Sequence, residues 1–92
     1  LVRSWWELDG LAEIHTDETG NLWGRARGDE GPAIVLCAHL DTVFGPEVPH
    51  RVRVEGDTLI GPSVGDDSVG VASLSAAATS LPADGMPVWL LT

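Results

Sequence analysis

Two stretches of the chain are apolar on both faces: Ala33 to Leu40, interrupted only by His39, and Pro87 to Leu91. Continuous apolar runs predict strands covered on both sides, a pattern of parallel or mixed sheets more than of a one-sided antiparallel sheet. Elsewhere the periodicity changes. Leu1, Val2, Trp5 and Leu8 recur near helical spacing and Asp9-Gly10 stops them, so the opening reads as the last turns of an amphipathic helix. Trp5 and Trp6 are adjacent and cannot both face one core, so one of them is expected to be half-exposed. Ala12 to Thr16 and Leu22 to Arg27 flank the turn-rich Asp17-Glu-Thr-Gly-Asn21, which predicts a β-hairpin with positive φ at Gly20 and Asn21.

Gly28 to Pro32 reads as a further turn and Thr42 to His50 as a loop. Arg51 to Glu55 and Thr58 to Ile60, joined across Gly56-Asp57, predict a second hairpin with a tight primed turn and one wet face. Val69 to Ser80 is rich in alanine and gives the clearest helical signal, with Val69, Val71, Ala72, Leu74, Ala76 and Leu81 available for burial. Pro82 ends it and Asp84-Gly85 turns the chain toward the last strand. The order α-β-β-β-ββ-α-β has no repeat and no linker. It predicts an α/β fold, a mixed, largely parallel sheet with flanking helices.

Composition narrows the picture. Ninety-two residues suit one small domain at most, which would bury about two-thirds of its unfolded surface. With 43% hydrophobic and 21% charged residues the chain is folded-protein material rather than a disordered tail. The formal charge of -9 comes from fourteen acidic residues against five arginines, with no lysine. That balance argues against nucleic acid and against an anionic membrane surface as partners. The single cysteine, Cys37, forms no internal disulfide and favours a reducing, cytoplasmic compartment. No apolar stretch approaches the roughly 18 residues of a membrane span and no basic-then-apolar leader opens the chain. It starts at Leu1 rather than at methionine, which leaves a preceding segment open.

The candidate chemistry lies at two places. His39 and Asp41 fall at the carboxyl end of the first apolar run, where open α/β sheets place their ligands. Strand periodicity puts both on one face, so that one can bind a cation and the other accept a hydrogen bond from the ring and fix its tautomer. Taken alone, His39 reads as a satisfied interior or edge histidine and Asp41 as a strand-end cap, and the context supplied by the second cluster is what raises the metal reading. Downstream, Gly61-Pro-Ser-Val-Gly65 leads into Asp66-Asp67-Ser68 at the start of the helix. Helix capping needs only one of these side chains. Two adjacent carboxylates repel, and a shared divalent cation is the simplest compensation. A phosphate cradle at this turn is opposed by both carboxylates and by the absence of lysine. Cys37, on the His39 face, reads as a small buried thiol rather than a soft ligand. His15 and His50 read as surface histidines, and with Glu47 they are poorly placed to complete a metal site.

Ala38-His-Leu-Asp-Thr-Val43, followed about two dozen residues later by Gly61-Pro-Ser-Val-Gly-Asp-Asp-Ser-Val-Gly-Val-Ala72, resembles the aminoacylase and tripeptidase-T-like family of dizinc metallopeptidases. Asn21-Leu-Trp-Gly24 resembles the N-terminal hairpin of the same family. The resemblance implies that residues 1–92 are an N-terminal part of a zinc-peptidase-like catalytic domain, incomplete in itself. It implies that His39 binds one zinc, that Asp66 bridges two, and that Asp41 is the catalytic carboxylate supporting His39. Two Zn2+ per complete site are implied, with Co2+ or Mn2+ as substitutes, and a small peptide or N-acyl amino acid as substrate. Family members often have a cis peptide bond after the bridging aspartate, which makes Asp66–Asp67 the candidate here. A glycine is common where this chain has Ser63, and a basic residue where it has Val69.

The expected reaction is hydrolysis by a metal-activated water, a glutamate taking the proton. The resemblance implies that this glutamate belongs to a Glu-Glu pair following a strand like Pro87 to Leu91, outside these residues, as are the further ligands and the dimerisation domain that relatives insert, which would make the full-length parent a homodimer. A catalytic zinc takes about three protein ligands, and only His39 and Asp66 are convincing here. The rival reading from another class is a non-catalytic acidic metal-binding or interaction module.

Overall fold

The hairpin Asp17 organises is the foundation of the sheet. In a computed structural model that describes residues 1–28, 31–82 and 85–92, β1 (Ala12–Thr16) and β2 (Leu22–Arg27) pair antiparallel, with His15 opposite Trp23 and Thr16 opposite Leu22. The Asp17 carboxylate closes the connection. It accepts hydrogen bonds from the Thr19 and Asn21 amides at 2.9 and 3.0 Å, from the Asn21 side chain at 3.0 Å and from the Trp23 indole at 2.9 Å. The indole bond, then the Asn21 side chain, hold its pKa well below the usual carboxylate range. Gly20 has the positive φ expected of it, at 96°, whereas Asn21 acts through its side chain and amide instead.

The remaining elements follow in the predicted order: α1 (Val2–Leu8) before the hairpin, then β3 (Ile34–Cys37), β4 (Arg53–Glu55), β5 (Thr58–Ile60), α2 (Val69–Ser80) and β6 (Val88–Leu91). β6 enters the middle of a four-stranded sheet of order β1-β2-β6-β3. It runs antiparallel to β2 and parallel to β3, with Val35 beside Trp89 and Cys37 beside Leu91. The sheet is thus mixed, as expected. The expectation of largely parallel strands holds only for the β3–β6 pair, because the short β1–β2 connection enforces an antiparallel hairpin. Between β3 and β6 the chain crosses over through the β4–β5 hairpin and α2. That hairpin is a separate two-stranded sheet whose Gly56 takes φ 59° at the first turn position, as a primed turn requires.

The core forms where the helices meet the sheet. Val2, Trp6, Leu22, Val71, Leu74 and Leu90 make one buried cluster, with Leu11, Ile14, Ala26 and Leu36 packed around it. Trp6 is 0% exposed and its indole N–H reaches the Ser75 hydroxyl at 3.1 Å, so the polar edge of the ring is satisfied across to α2. Gly24 lies against the face of the same ring. A Cβ there would sit 2.9 Å from Trp6 Cε3 and 2.9 Å from Leu11 Cδ2, which is why this strand position carries no side chain.

Several burial expectations are corrected. On α1 the inward pair is Val2 and Trp6, one turn apart, while Leu1 and Leu8 face solvent and Trp5 is the half-exposed tryptophan. On α2 only Val71 and Leu74 are buried; Val69, Ala72 and Ala76 are exposed, because one side of the helix alone meets the sheet. The run around β3, expected to be covered on both faces, is the edge of the sheet among the described residues, with Ile34 43% and Val35 47% exposed. Cys37 is an exposed free thiol, not a buried one, for the same reason. Both faces of the β4–β5 hairpin are open rather than one, with Val54 69% and Leu59 56% exposed. Of the predicted turns, Asp29 and Glu30 in the first and Asp84 in the second lie outside the described residues.

Trp6→Ala removes the largest buried side chain and its bond to Ser75 together. It is expected to lower unfolding free energy by about 3–5 kcal/mol, measured by denaturant unfolding of the wild-type and variant chains. A loss below about 1 kcal/mol would mean that the core does not centre on this ring.

Candidate metal centre

The parallel pairing of β3 with β6 places the end of β3 beside the beginning of α2. His39 and Asp41 follow β3 directly, and residues 64–68 form a wide turn ahead of α2 in which Asp66 and Asp67 have non-helical backbone. The peptide bond between them is cis. Ser63, at the entry to this turn, has φ 58° and ψ 8°, the left-handed conformation that glycine adopts without steric cost. The glycine common at this place in the resembled family answers that backbone requirement, which Ser63 meets with its Cβ in place.

Here the two sequence motifs meet. His39 Nε2 lies 2.9 Å from Asp66 Oδ1. On the other side of the ring, Nδ1 is 2.9 Å from the Asp41 main-chain oxygen and 3.3 Å from the Asp41 carboxylate. A carbonyl oxygen can only accept, so Nδ1 carries a hydrogen and donates it to Asp41. That leaves Nε2 as the atom facing Asp66. With a proton on it the ring is an imidazolium paired with the carboxylate; without one, its lone pair and the carboxylate oxygens point into a common space. Asp41 was expected to hold the ring through its carboxylate, and the geometry adds the main-chain carbonyl as the nearer acceptor. Strand alternation could not reveal that contact, because the chain leaves β3 after Cys37 and curls back on the ring.

Asp67 has a different position. Its carboxylate Oδ2 lies 3.2 Å from the backbone nitrogen of His39 and accepts that N–H. None of Asp66, Asp67 and Ser68 caps α2 in the manner the sequence allowed, since no side-chain cap bond is made at its N-terminus. Capping therefore does not explain the acidic pair. His15 and His50 are exposed, as expected, and His15 stacks on Trp23 with ring centroids 6.4 Å apart. An open cleft of about 520 Å³ runs beside the site, lined by Thr19, Asn21, Cys37, His39, Asp41 and Asp67 among others. The Asp17-centred turn was legible in the sequence only as a turn; its placement as the far wall of this cleft was not.

The donor types suit zinc: an imidazole nitrogen freed for coordination by the hydrogen bond on its other nitrogen, and a carboxylate aimed at it. The number of donors does not complete a site. Among the described residues no group of three or more His, Cys, Asp or Glu could hold a metal ion.

An α/β unit with a histidine at a strand tip and paired aspartates at a helix mouth is the class this geometry defines. Comparison with known proteins bears out the resemblance to the aminoacylase and tripeptidase-T-like dizinc metallopeptidases. The chain is 39% identical over 54 residues to carboxypeptidase G2 of Pseudomonas sp. (strain RS-16), covering 56% of this chain and 13% of that protein. It is 45% identical over 49 residues to a putative [LysW]-lysine/[LysW]-ornithine hydrolase of Pyrococcus horikoshii, covering 53% of this chain and 14% of that protein. Among solved structures, aminoacylhistidine dipeptidase from Vibrio alginolyticus superimposes with a TM-score of 0.57 at 22% identity, over 98% of this chain and 21% of that one, a likeness of fold. No family model matches the chain. The matched segments span about one-seventh of the curated relatives' length. No described helix is long and apolar enough to cross a membrane.

The Asp41 carbonyl bond, supported by the Asp66 contact and both carboxylates and opposed by partial burial, raises the His39 pKa above its ordinary 6.5. A raised folded value means that protonation of His39 stabilises the fold fully below the ordinary pKa, and that this contribution disappears as pH rises through the folded one. Proton NMR of the metal-free chain should show the His39 ring titrating above 6.5. Asp66→Asn should lower that midpoint without abolishing the shift, since the bond to Asp41 remains; a midpoint below 6.5 in the wild-type chain contradicts the geometry. Independently, Ser63→Gly should raise thermal stability, by about 1 kcal/mol or less, by relieving the left-handed backbone. A destabilised Ser63→Gly chain would show that the serine side chain contributes more than its backbone costs.

Proposed function

We propose that residues 1–92 are an N-terminal part of the catalytic domain of a zinc-dependent hydrolase acting on the amide bond of a small peptide or N-acyl amino acid. The observation that carries this reading is the convergence of His39 Nε2 on Asp66 at 2.9 Å while Nδ1 is fixed by Asp41. In it His39 would bind one zinc and Asp66 would be shared by two, while Asp41 keeps the ring in the orientation and tautomer that leave Nε2 available. Bound zinc would supply Lewis acidity for the scissile carbonyl and a nucleophile at neutral pH. Co2+ or Mn2+ would substitute on the same donors. The chain's own share of the chemistry is orientation: it holds the His39 imidazole against the Asp66 carboxylate, with His39 and Asp41 lining an open cleft that can admit a small substrate.

The reading also accounts for the donor count. Two convincing ligands stand where a catalytic zinc takes about three, and the relatives by name a carboxypeptidase and a hydrolase are about seven times longer than their matched segments. The general base and the remaining ligands are then contributed from outside these residues. A cytoplasmic protein, homodimeric in its full-length form, remains the parent we propose.

Isothermal titration of the 92-residue chain tests this. Zinc should bind weakly, His39→Ala should abolish the binding, and the chain alone should not turn over dipeptides or N-acyl amino acids. Robust turnover by the chain alone would overturn the partial-site reading. Tight calcium binding that survives His39→Ala would replace it with a non-catalytic acidic metal-binding module.

A further inference from the structure

We propose that Asp67 is a positioning residue for His39, and that Gly70 is the vacancy in α2 that lets it act. The proposal rests on the reading of His39 as a metal donor. Asp67 sits at the mouth of α2, where an aspartate ordinarily caps its own helix, yet its carboxylate makes no cap bond. It reaches instead across the fold to the backbone N–H of His39, 28 residues earlier in the chain, at 3.2 Å. That N–H lies just beyond the last paired residue of β3, where no neighbouring strand accepts it, so Asp67 is what ties the strand tip to the helix. The ring of the same residue is 49% exposed, and among the described residues it is held by Asp41 and Asp66. Its backbone anchor therefore sets where the ring starts from, and Asp41 sets how it is turned.

Gly70 supplies the second, independent observation. It is the second residue of α2 and has no positive φ, so its backbone is one that any residue can adopt and does not itself call for glycine. A Cβ at this position would fall on the Asp67 carboxylate, within 2.6 Å of its Cγ. The glycine thus makes room for Asp67 to lie back over the first turn of α2 and turn an oxygen toward His39. Asp66 and Asp67 divide the work of the acidic pair between them: the first faces the imidazole ring, the second holds the main chain that carries it.

The test combines zinc affinity with hydrogen exchange of the His39 amide in the 92-residue chain, circular dichroism reporting the fold of each variant. Asp67→Ala and Gly70→Ala should each weaken zinc binding by about tenfold or more and expose the His39 amide to exchange. Asp67→Asn keeps an acceptor oxygen and should preserve both. The double variant should bind zinc no more weakly than Asp67→Ala, because both changes break the same contact. Wild-type affinity in Asp67→Ala, alongside loss of binding in His39→Ala, would overturn the proposal and leave the metal reading intact. So would an Asp67→Asn chain as weak as Asp67→Ala with its His39 amide still protected, since Asp67 would then act through its charge. If His39→Ala binds zinc unchanged, the metal reading fails, and the amide exchange of Asp67→Ala and Gly70→Ala still decides whether Asp67 anchors His39.

Discussion

The parallel alignment of β3 with β6 is the constraint on which the rest of the site depends. Parallel neighbours cannot be joined by a tight turn, so the chain between them must travel the length of the sheet and return. The return leg here is α2, which packs Val71 and Leu74 against the sheet and begins beside the tip of β3. With that register, Cys37 opposite Leu91, the residues just after β3 and the residues just before α2 have to share one end of the sheet. His39 and Asp66 are neighbours for this reason, although 26 residues separate them along the chain.

Around that constraint the structure arranges three layers of support. Trp6 couples α1 to β2 and α2 at once, through Gly24 on one side and Ser75 on the other, so the helices keep their positions on the sheet. Asp17 stiffens the turn that forms the far wall of the cleft. Asp41, Asp66 and Asp67 then hold His39 from three directions: two at the ring nitrogens, one at the backbone. Of fourteen acidic residues these three meet at a single histidine, which gives a local meaning to part of the chain's charge that a uniformly solvated acidic surface would lack.

Much of this was legible in the residues. The hairpin signals worked because turn chemistry is local: Gly20, Gly56 and Asp17 act within a few positions of themselves. The helix from Val69 to Ser80 and the order of elements were readable for the same reason. Burial was not. An apolar run like that of β3 states what a strand would prefer to touch, and no local signal states whether a neighbour is present to touch it. Cys37 followed the same error, and Trp5 and Trp6 could be ranked only after the helix had been rotated against the sheet.

Taken by itself, the sequence determined the succession of elements, the turns and the two places where chemistry could reside, because propensity, turn geometry and the pairing of His with Asp are carried by neighbouring residues. Tertiary structure decided which faces are buried, that β3 pairs parallel with β6, and that Asp67 and Gly70 serve His39 rather than their own helix. Those outcomes depend on distances between residues far apart in the chain, and such distances exist only once the crossover through α2 has closed.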